Sequence, residues 1–128
     1  MKVSLRPYFD HMIVAALAAV CYVFFFHGLG SIGLLGPDEP RYAAVAREML
    51  MSSDYITPRL YGSPWFEKPV LMYWLAAIGF KILGVGEAGV RLPSALAATV
   101  SVFVIYWCGR KLWGRAAGFI AALILAMM

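Results

Sequence analysis

The stretch from His11 to Leu29 contains no Asp, Glu, Lys or Arg. Its roughly 19 residues, at about 1.5 Å of helical rise each, match the roughly 30 Å hydrocarbon thickness of a bilayer. Such a run has to be buried in lipid or hidden in a core. With 62% hydrophobic and 14% charged residues and a mean hydropathy of +0.77, 128 residues have too little polar surface to hide it. The chain is expected to be an integral membrane protein. A cleaved signal peptide is the rival reading. However, Ala15, Ala16, Ala18 and Ala19 lie mid-segment, the bulky Phe24-Phe25-Phe26-His27 follows them, and only Gly28-Leu29-Gly30 resembles a cleavage site. An uncleaved anchor preceded by Lys2 and Arg6 is the better reading.

A second span is expected over Leu92–Gly109, closed by Arg110, Lys111 and Arg115. A third apolar segment starts near Ala116 and reaches Met128 after a length that crosses only about 20 Å. A span does not stop halfway, so the sequence is expected to be the N-terminal part of a longer polytopic protein. Val70–Leu83, between Pro69 and Gly84, is too short to be assigned by length alone, and charge decides. If it crossed, the Arg110–Arg115 turn would lie on the side opposite Lys2 and Arg6, against the positive-inside rule. If it does not cross, both basic clusters are cytoplasmic and residues 30–91 form one extracytoplasmic loop. In that loop Asp38, Glu39, Glu48, Asp54, Glu67 and Glu87 offset Arg41, Arg47, Arg59, Lys68, Lys81 and Arg91. The net charge of +4 is then a matter of topology, not of nucleic-acid binding. Cys21 and Cys108, both in apolar stretches, read as packing residues.

Gly28-Leu29-Gly30-Ser31-Ile32-Gly33 spells GxGxxG, but the dinucleotide fingerprint needs a strand before it, and a membrane span precedes it here. These glycines read as a flexible exit from the bilayer. Tyr55, Tyr61, Trp65 and Phe66 have the density of an interfacial aromatic belt, interrupted by Pro58 and Pro64.

From Arg41 onward, Tyr42, Val45, Ala46, Met49 and Leu50 recur at helical spacing opposite Arg41, Arg47 and Glu48. This predicts a short amphipathic helix ended by Ser52-Ser53-Asp54, lying along the membrane surface. Two acidic tags flank the loop's helices: Asp38-Glu39-Pro40-Arg41-Tyr42 and Phe66-Glu67-Lys68-Pro69. Each has a carboxylate two residues before a proline, and proline commonly opens a helix. Asp38 and Glu67 are therefore expected at positive helix ends, which stabilise the ionised form.

Asp38-Glu39-Pro40-Arg41-Tyr42-Ala43, then Arg47-Glu48-Met49-Leu50, Tyr55-Ile56-Thr57-Pro58-Arg59-Leu60 and Phe66-Glu67-Lys68-Pro69, taken in order, resemble the N-terminal region of bacterial C-type glycosyltransferases. The likeness covers about residues 8–128. It is nearest to the lipid A aminoarabinose transferases, with protein O-mannosyltransferases and Rgt-type galacturonosyltransferases further off. It implies an all-α fold, a polytopic membrane helix bundle whose first extracytoplasmic loop holds two juxtamembrane amphipathic helices. It also implies location in the bacterial inner membrane with a cytoplasmic N-terminus. The implied reaction moves a sugar from a polyprenyl-phosphate donor to a lipid or protein acceptor on the outer face of that membrane.

By position, Asp38 matches the family's catalytic acid. Arg41 and Tyr42 match residues that shape the donor site, Lys68 the residue near the lipid phosphate, and Glu67 the residue near a bound divalent metal ion. Neither His11 nor His27 is spaced to complete a site with Glu67, so further ligands would come from outside this stretch. Pro40 stands where an aminoarabinose transferase would be expected to have threonine, which leaves the sugar open. The alternative is a non-catalytic scaffold or transporter subunit whose loop acids set topology or form helix caps and surface ion pairs.

Overall fold

The computed structural model describes residues 6–128, so Lys2 lies outside the described residues. The chain forms two compact units, one running up to His27 and resuming at Ala95–Met128, the other comprising Gly28–Ser94.

In the first unit, α1 (Arg6–Cys21) continues into a π-helical turn, Tyr22–Phe26, closed by the His27 N–H donating to the Tyr22 carbonyl at 2.8 Å. The first apolar helix thus ends at Phe26, short of the expected Leu29, because His27 is already extended (ψ 119°) and Gly28 then takes a positive φ of 73°. Helix α4 (Glu87–Trp113) is longer at both ends than the span expected at Leu92–Gly109. Phe9–Phe26 and Glu87–Trp113 are each long and apolar enough to cross a bilayer. Gly114 (φ 94°) turns the chain into α5 (Arg115–Met127). Leu17, Cys21, Val102, Tyr106, Ala122 and Ala126 form this unit's core. Cys21 is buried and Cys108 exposed, and neither forms a disulfide.

At one end of the unit, Arg110 Nη2 lies 2.9 Å from Asp10 Oδ2 and Arg115 Nε lies 2.9 Å from Asp10 Oδ1. The start of α1, the end of α4 and the start of α5 therefore lie together.

In the second unit, α2 (Asp38–Ser52) packs on α3 (Val70–Leu83); α2 contains the helix expected from periodicity and α3 fills the segment expected between Pro69 and Gly84. The apolar stripe of α2 is inward: Val45, Ala46 and Met49 are buried. Val45 and Met49 meet Tyr73, while Ala46 meets Ala76, Ala77, Phe80 and Val90. Ser53, in the left-handed region at φ 57°, ends α2.

The chain is largely helical but not wholly so. A two-residue antiparallel ladder, β1 (Arg59–Leu60) and β2 (Ser63–Pro64), pairs Arg59 with Pro64 and Leu60 with Ser63. Its turn needs positive φ at Tyr61 (53°) and Gly62 (83°). Glu48 on α2 holds that turn, accepting the N–H of Tyr61 at 2.6 Å and of Gly62 at 3.2 Å. Tyr61 and Phe66 of the expected aromatic belt are exposed, while Trp65 packs against the core formed by Val45, Met49 and Tyr73.

The close approach of α3 to the start of α4 depends on missing side chains. Pro93 has no N–H for the Gly89 carbonyl four residues back, and a Cβ on Gly79 would collide with that carbonyl and lie 3.2 Å from Pro93 Cδ. Gly79→Ala should therefore lower stability by about 1–3 kcal/mol, the usual cost of overpacking, even though alanine is the better helix former. Gly86→Ala, with nothing within 4 Å of the added carbon, should not. Thermal unfolding of the full-length protein in detergent separates the two. A Gly79→Ala melting temperature equal to wild type would show that the helices adjust freely.

Candidate functional site

Asp38 is the first residue of α2 and Arg41 follows one turn later, so both side chains project from the same end of the helix. Asp38 makes no capping hydrogen bond, the N-cap being Pro37. Pro40 is the third residue of the helix, still within the first turn, where its missing N–H costs no hydrogen bond. Glu67 departs from expectation. Pro69 (φ −55°, ψ 138°) is the N-cap of α3 and not its first helical residue, so Glu67 lies outside the first turn.

Glu67 is instead placed by Arg41. One guanidinium nitrogen, Nη1, lies 3.7 Å from Asp38 Oδ1 and 4.0 Å from Glu67 Oε2. Both pairs are longer than a hydrogen bond and all three side chains are about half exposed, so each contributes about 1 kcal/mol at most. The Tyr42 phenol beside the Lys68 ammonium, and then the charges of Glu67 and Asp38, push the Lys68 pKa up. Lys68 is therefore a fixed cation at neutral pH.

The five sequence-derived residues Asp38, Arg41, Tyr42, Glu67 and Lys68 thus converge from the start of α2 and the approach to α3. Tyr73, which sequence reasoning did not single out, lies behind them. It is fully buried, its ring tilted 59° to that of Tyr42 at a centroid separation of 6.3 Å. Burial pushes its hydroxyl pKa up. That hydroxyl has no hydrogen-bond partner among the described residues.

Among the described residues no three His, Cys, Asp or Glu side chains converge to hold a metal ion, and the charged neighbour of Glu67 is a guanidinium. The residues present do not make a metal site of their own.

A second arrangement, also unread from sequence, fixes the start of α2. Arg91 Nε donates to Glu39 Oε1 (3.1 Å) and Nη2 to Glu39 Oε2 (2.8 Å). Nη1 donates to the carbonyls of Leu29 (3.0 Å) and Ile32 (2.8 Å), and Nη2 also donates to that of Gly33 (3.0 Å). All five guanidinium donors are used. Glu39 Oε2 also accepts the Leu35 N–H at 2.7 Å. The glycine-rich stretch expected to be a flexible exit is thereby pinned. The pairing spans 52 residues, so local spacing carries no sign of it.

A family model described as dolichyl-phosphate-mannose-protein mannosyltransferase matches residues 67–128. The undecaprenyl phosphate-alpha-4-amino-4-deoxy-L-arabinose arabinosyl transferase 2 of Pseudomonas fluorescens (Pf-5) is 42% identical over 105 residues, 82% of this chain and 18% of that protein. The corresponding transferase 1 of Pseudomonas fluorescens (Pf0-1) is 39% identical over 106 residues, 83% of this chain and 19% of that protein. Among solved structures, ArnT from Cupriavidus metallidurans in the apo state superposes with a TM-score of 0.78 at 33% identity, covering 95% of this chain and 22% of that one. The same protein bound to undecaprenyl phosphate gives 0.75 at 36% identity, with 82% and 19% covered.

The chain belongs to the C-type membrane glycosyltransferases. Within that family it is similar to the undecaprenyl-phosphate aminoarabinose transferases, and it spans less than a fifth of the length of the two Pseudomonas relatives.

The Arg91 guanidinium beside Glu39, and then the Leu35 N–H, hold the Glu39 carboxyl below its usual range. A carboxyl lowered by folding adds stability above its unfolded pKa of about 4.3, and that stability is lost as pH falls through the lower folded value. The stability gap between wild type and Glu39→Gln should therefore be constant from about pH 8 to 5 and shrink below about pH 4. Melting temperatures across that range measure it. A gap independent of pH would remove the charge of Glu39 from the account.

Proposed function

We propose that the site transfers a sugar from a polyprenyl-phosphate donor to a hydroxyl of a lipid or protein acceptor. The observation that carries the reading is the convergence of one carboxylate, Asp38, with two cations, Arg41 and Lys68, from separate segments of one packed helix pair. The acceptor oxygen bonds to the anomeric carbon as the bond from that carbon to the phosphate oxygen breaks, and the phosphate leaves with the electron pair. Asp38 orients the acceptor hydroxyl, takes its proton, and offsets positive charge developing on the sugar. Arg41 and Lys68 stabilise the departing phosphate. No step requires a metal ion at Glu67. A non-catalytic scaffold would have no need of this grouping, and nothing in the site favours it.

The relatives' names support an undecaprenyl-phosphate-linked donor, and the structure bound to undecaprenyl phosphate supports a lipid-phosphate site. The ion pairs of Asp10 with Arg110 and Arg115 support the topology drawn from charge, since they bring the start of α1 to the Arg110–Arg115 turn, as expected of antiparallel spans. Residues 30–91 then form the first extracytoplasmic loop of an inner-membrane protein, and α2 and α3 are its juxtamembrane helices.

Two measurements on the full-length enzyme test the assignment. Asp38→Asn keeps the shape and removes the charge, so expression should persist while transfer falls by at least roughly a hundredfold. Near-normal turnover would make Asp38 a structural residue. Lys68→Ala should raise the apparent KM for donor, with Lys68→Arg recovering part of the loss, whereas Glu67→Gln, which removes one of the two carboxylates that aim Arg41 at the departing phosphate, should lower the maximal rate in a way added donor does not cure. If saturating donor cured both, Glu67 and Lys68 would be one phosphate-side unit.

A further inference from the structure

Asp38 has no side-chain hydrogen bond of its own, and its one ion pair is long and half exposed. Something else must fix where its carboxylate points. Its neighbour Glu39 is held by two hydrogen bonds from Arg91 and by the Leu35 N–H, and the same guanidinium holds three carbonyls of the segment just before α2. Arg91 is largely covered, with 18% of its side chain exposed, so this pairing is much less weakened by solvent than those of Arg41.

We propose that Arg91 and Glu39 are positioning residues for transfer: together they fix the first turn of α2, and with it the Asp38 carboxylate, relative to the preceding loop. The inference rests on the reading of Asp38 given above. Neither residue contacts the groups assigned to the donor phosphate. Loosening the clamp should therefore misplace the acid and leave donor binding intact. A misplacement of about 1 Å can cost up to about a hundredfold in rate.

The test is steady-state transfer by the full-length enzyme, with donor concentration varied and melting temperature measured in parallel. Arg91→Lys keeps the charge but cannot make the five-bond fork. Its kcat should fall about tenfold or more, with the donor KM within about twofold of wild type. Glu39→Gln, which leaves the three carbonyl bonds available, should fall less. The double variant should be no worse than Arg91→Lys alone, as expected of two residues acting as one unit.

Glu48→Gln is the structural control, because Glu48 ties the other half of α2 to the hairpin turn. It should lower the melting temperature and spare kcat. The proposal is overturned if Arg91→Lys loses melting temperature as Glu48→Gln does while kcat is kept, or if its defect lies in donor KM. If Arg91→Lys does not accumulate, the same split is read on the milder Glu39→Gln. Full activity of Asp38→Asn would sink the underlying assignment. An inactive Asp38→Asn beside a fully active Arg91→Lys would sink the clamp alone.

Discussion

Arg91 is the residue on which the order of the second unit depends. A glycine-rich segment leaving an apolar helix has many carbonyls and few side chains with which to fix itself. Each carbonyl needs a donor, from the protein or from water. Three of them find it in one guanidinium, which sits at the foot of α4 and also grips the first turn of α2 through Glu39. A lysine there could supply charge but not a planar fork serving four residues at once. Removing the guanidinium would free the loop and the helix start together.

The packing of α2 on α3 follows simpler rules. The two helices meet through small and medium side chains, Ala46 against Ala76 and Ala77, and Val45 and Met49 against Tyr73. Glycines allow still closer approach where α3 meets the start of α4. The hairpin and the loop before it are tied back by polar bonds: Glu48 holds the turn, Asp54 accepts the N–H groups of Ile56 and Thr57, and Trp74 Nε1 donates to the Tyr55 carbonyl at 2.6 Å. A loop with so many fixed points is a frame for side chains, not a tether.

Much of this was legible in the sequence, for physical reasons. Helical periodicity marks α2, and Pro69 and Gly84 bracket α3, because a proline and a glycine interrupt backbone geometry wherever they fall. The grouping of Asp38, Arg41, Tyr42, Glu67 and Lys68 followed from the family resemblance and not from spacing, since 26 residues or more separate the Asp38 tag from Lys68. The Arg91 clamp and the buried Tyr73 were not legible. A lone arginine reads as part of a charge count and a tyrosine in an apolar helix reads as belt or core, and only the fold shows what each meets. Pro69 stands one position before the first helical residue, not at it as the spacing predicts, because proline suits the N-cap as well as the first helical position. The choice between them lies in ψ, which composition does not reveal.

The loose hold of Arg41 has a consequence for how a ligand would enter. A cation locked in a short, buried, two-pronged pair would have to be pulled away from its partner before it met anything else, and that reorganisation would subtract from affinity. Arg41 instead divides one nitrogen between two carboxylates at 3.7 and 4.0 Å. It is close enough to keep its bearing and far enough to turn at little cost. An incoming anion would meet a guanidinium already in place and nearly free, and the two carboxylates it released would become available to other partners in the same movement.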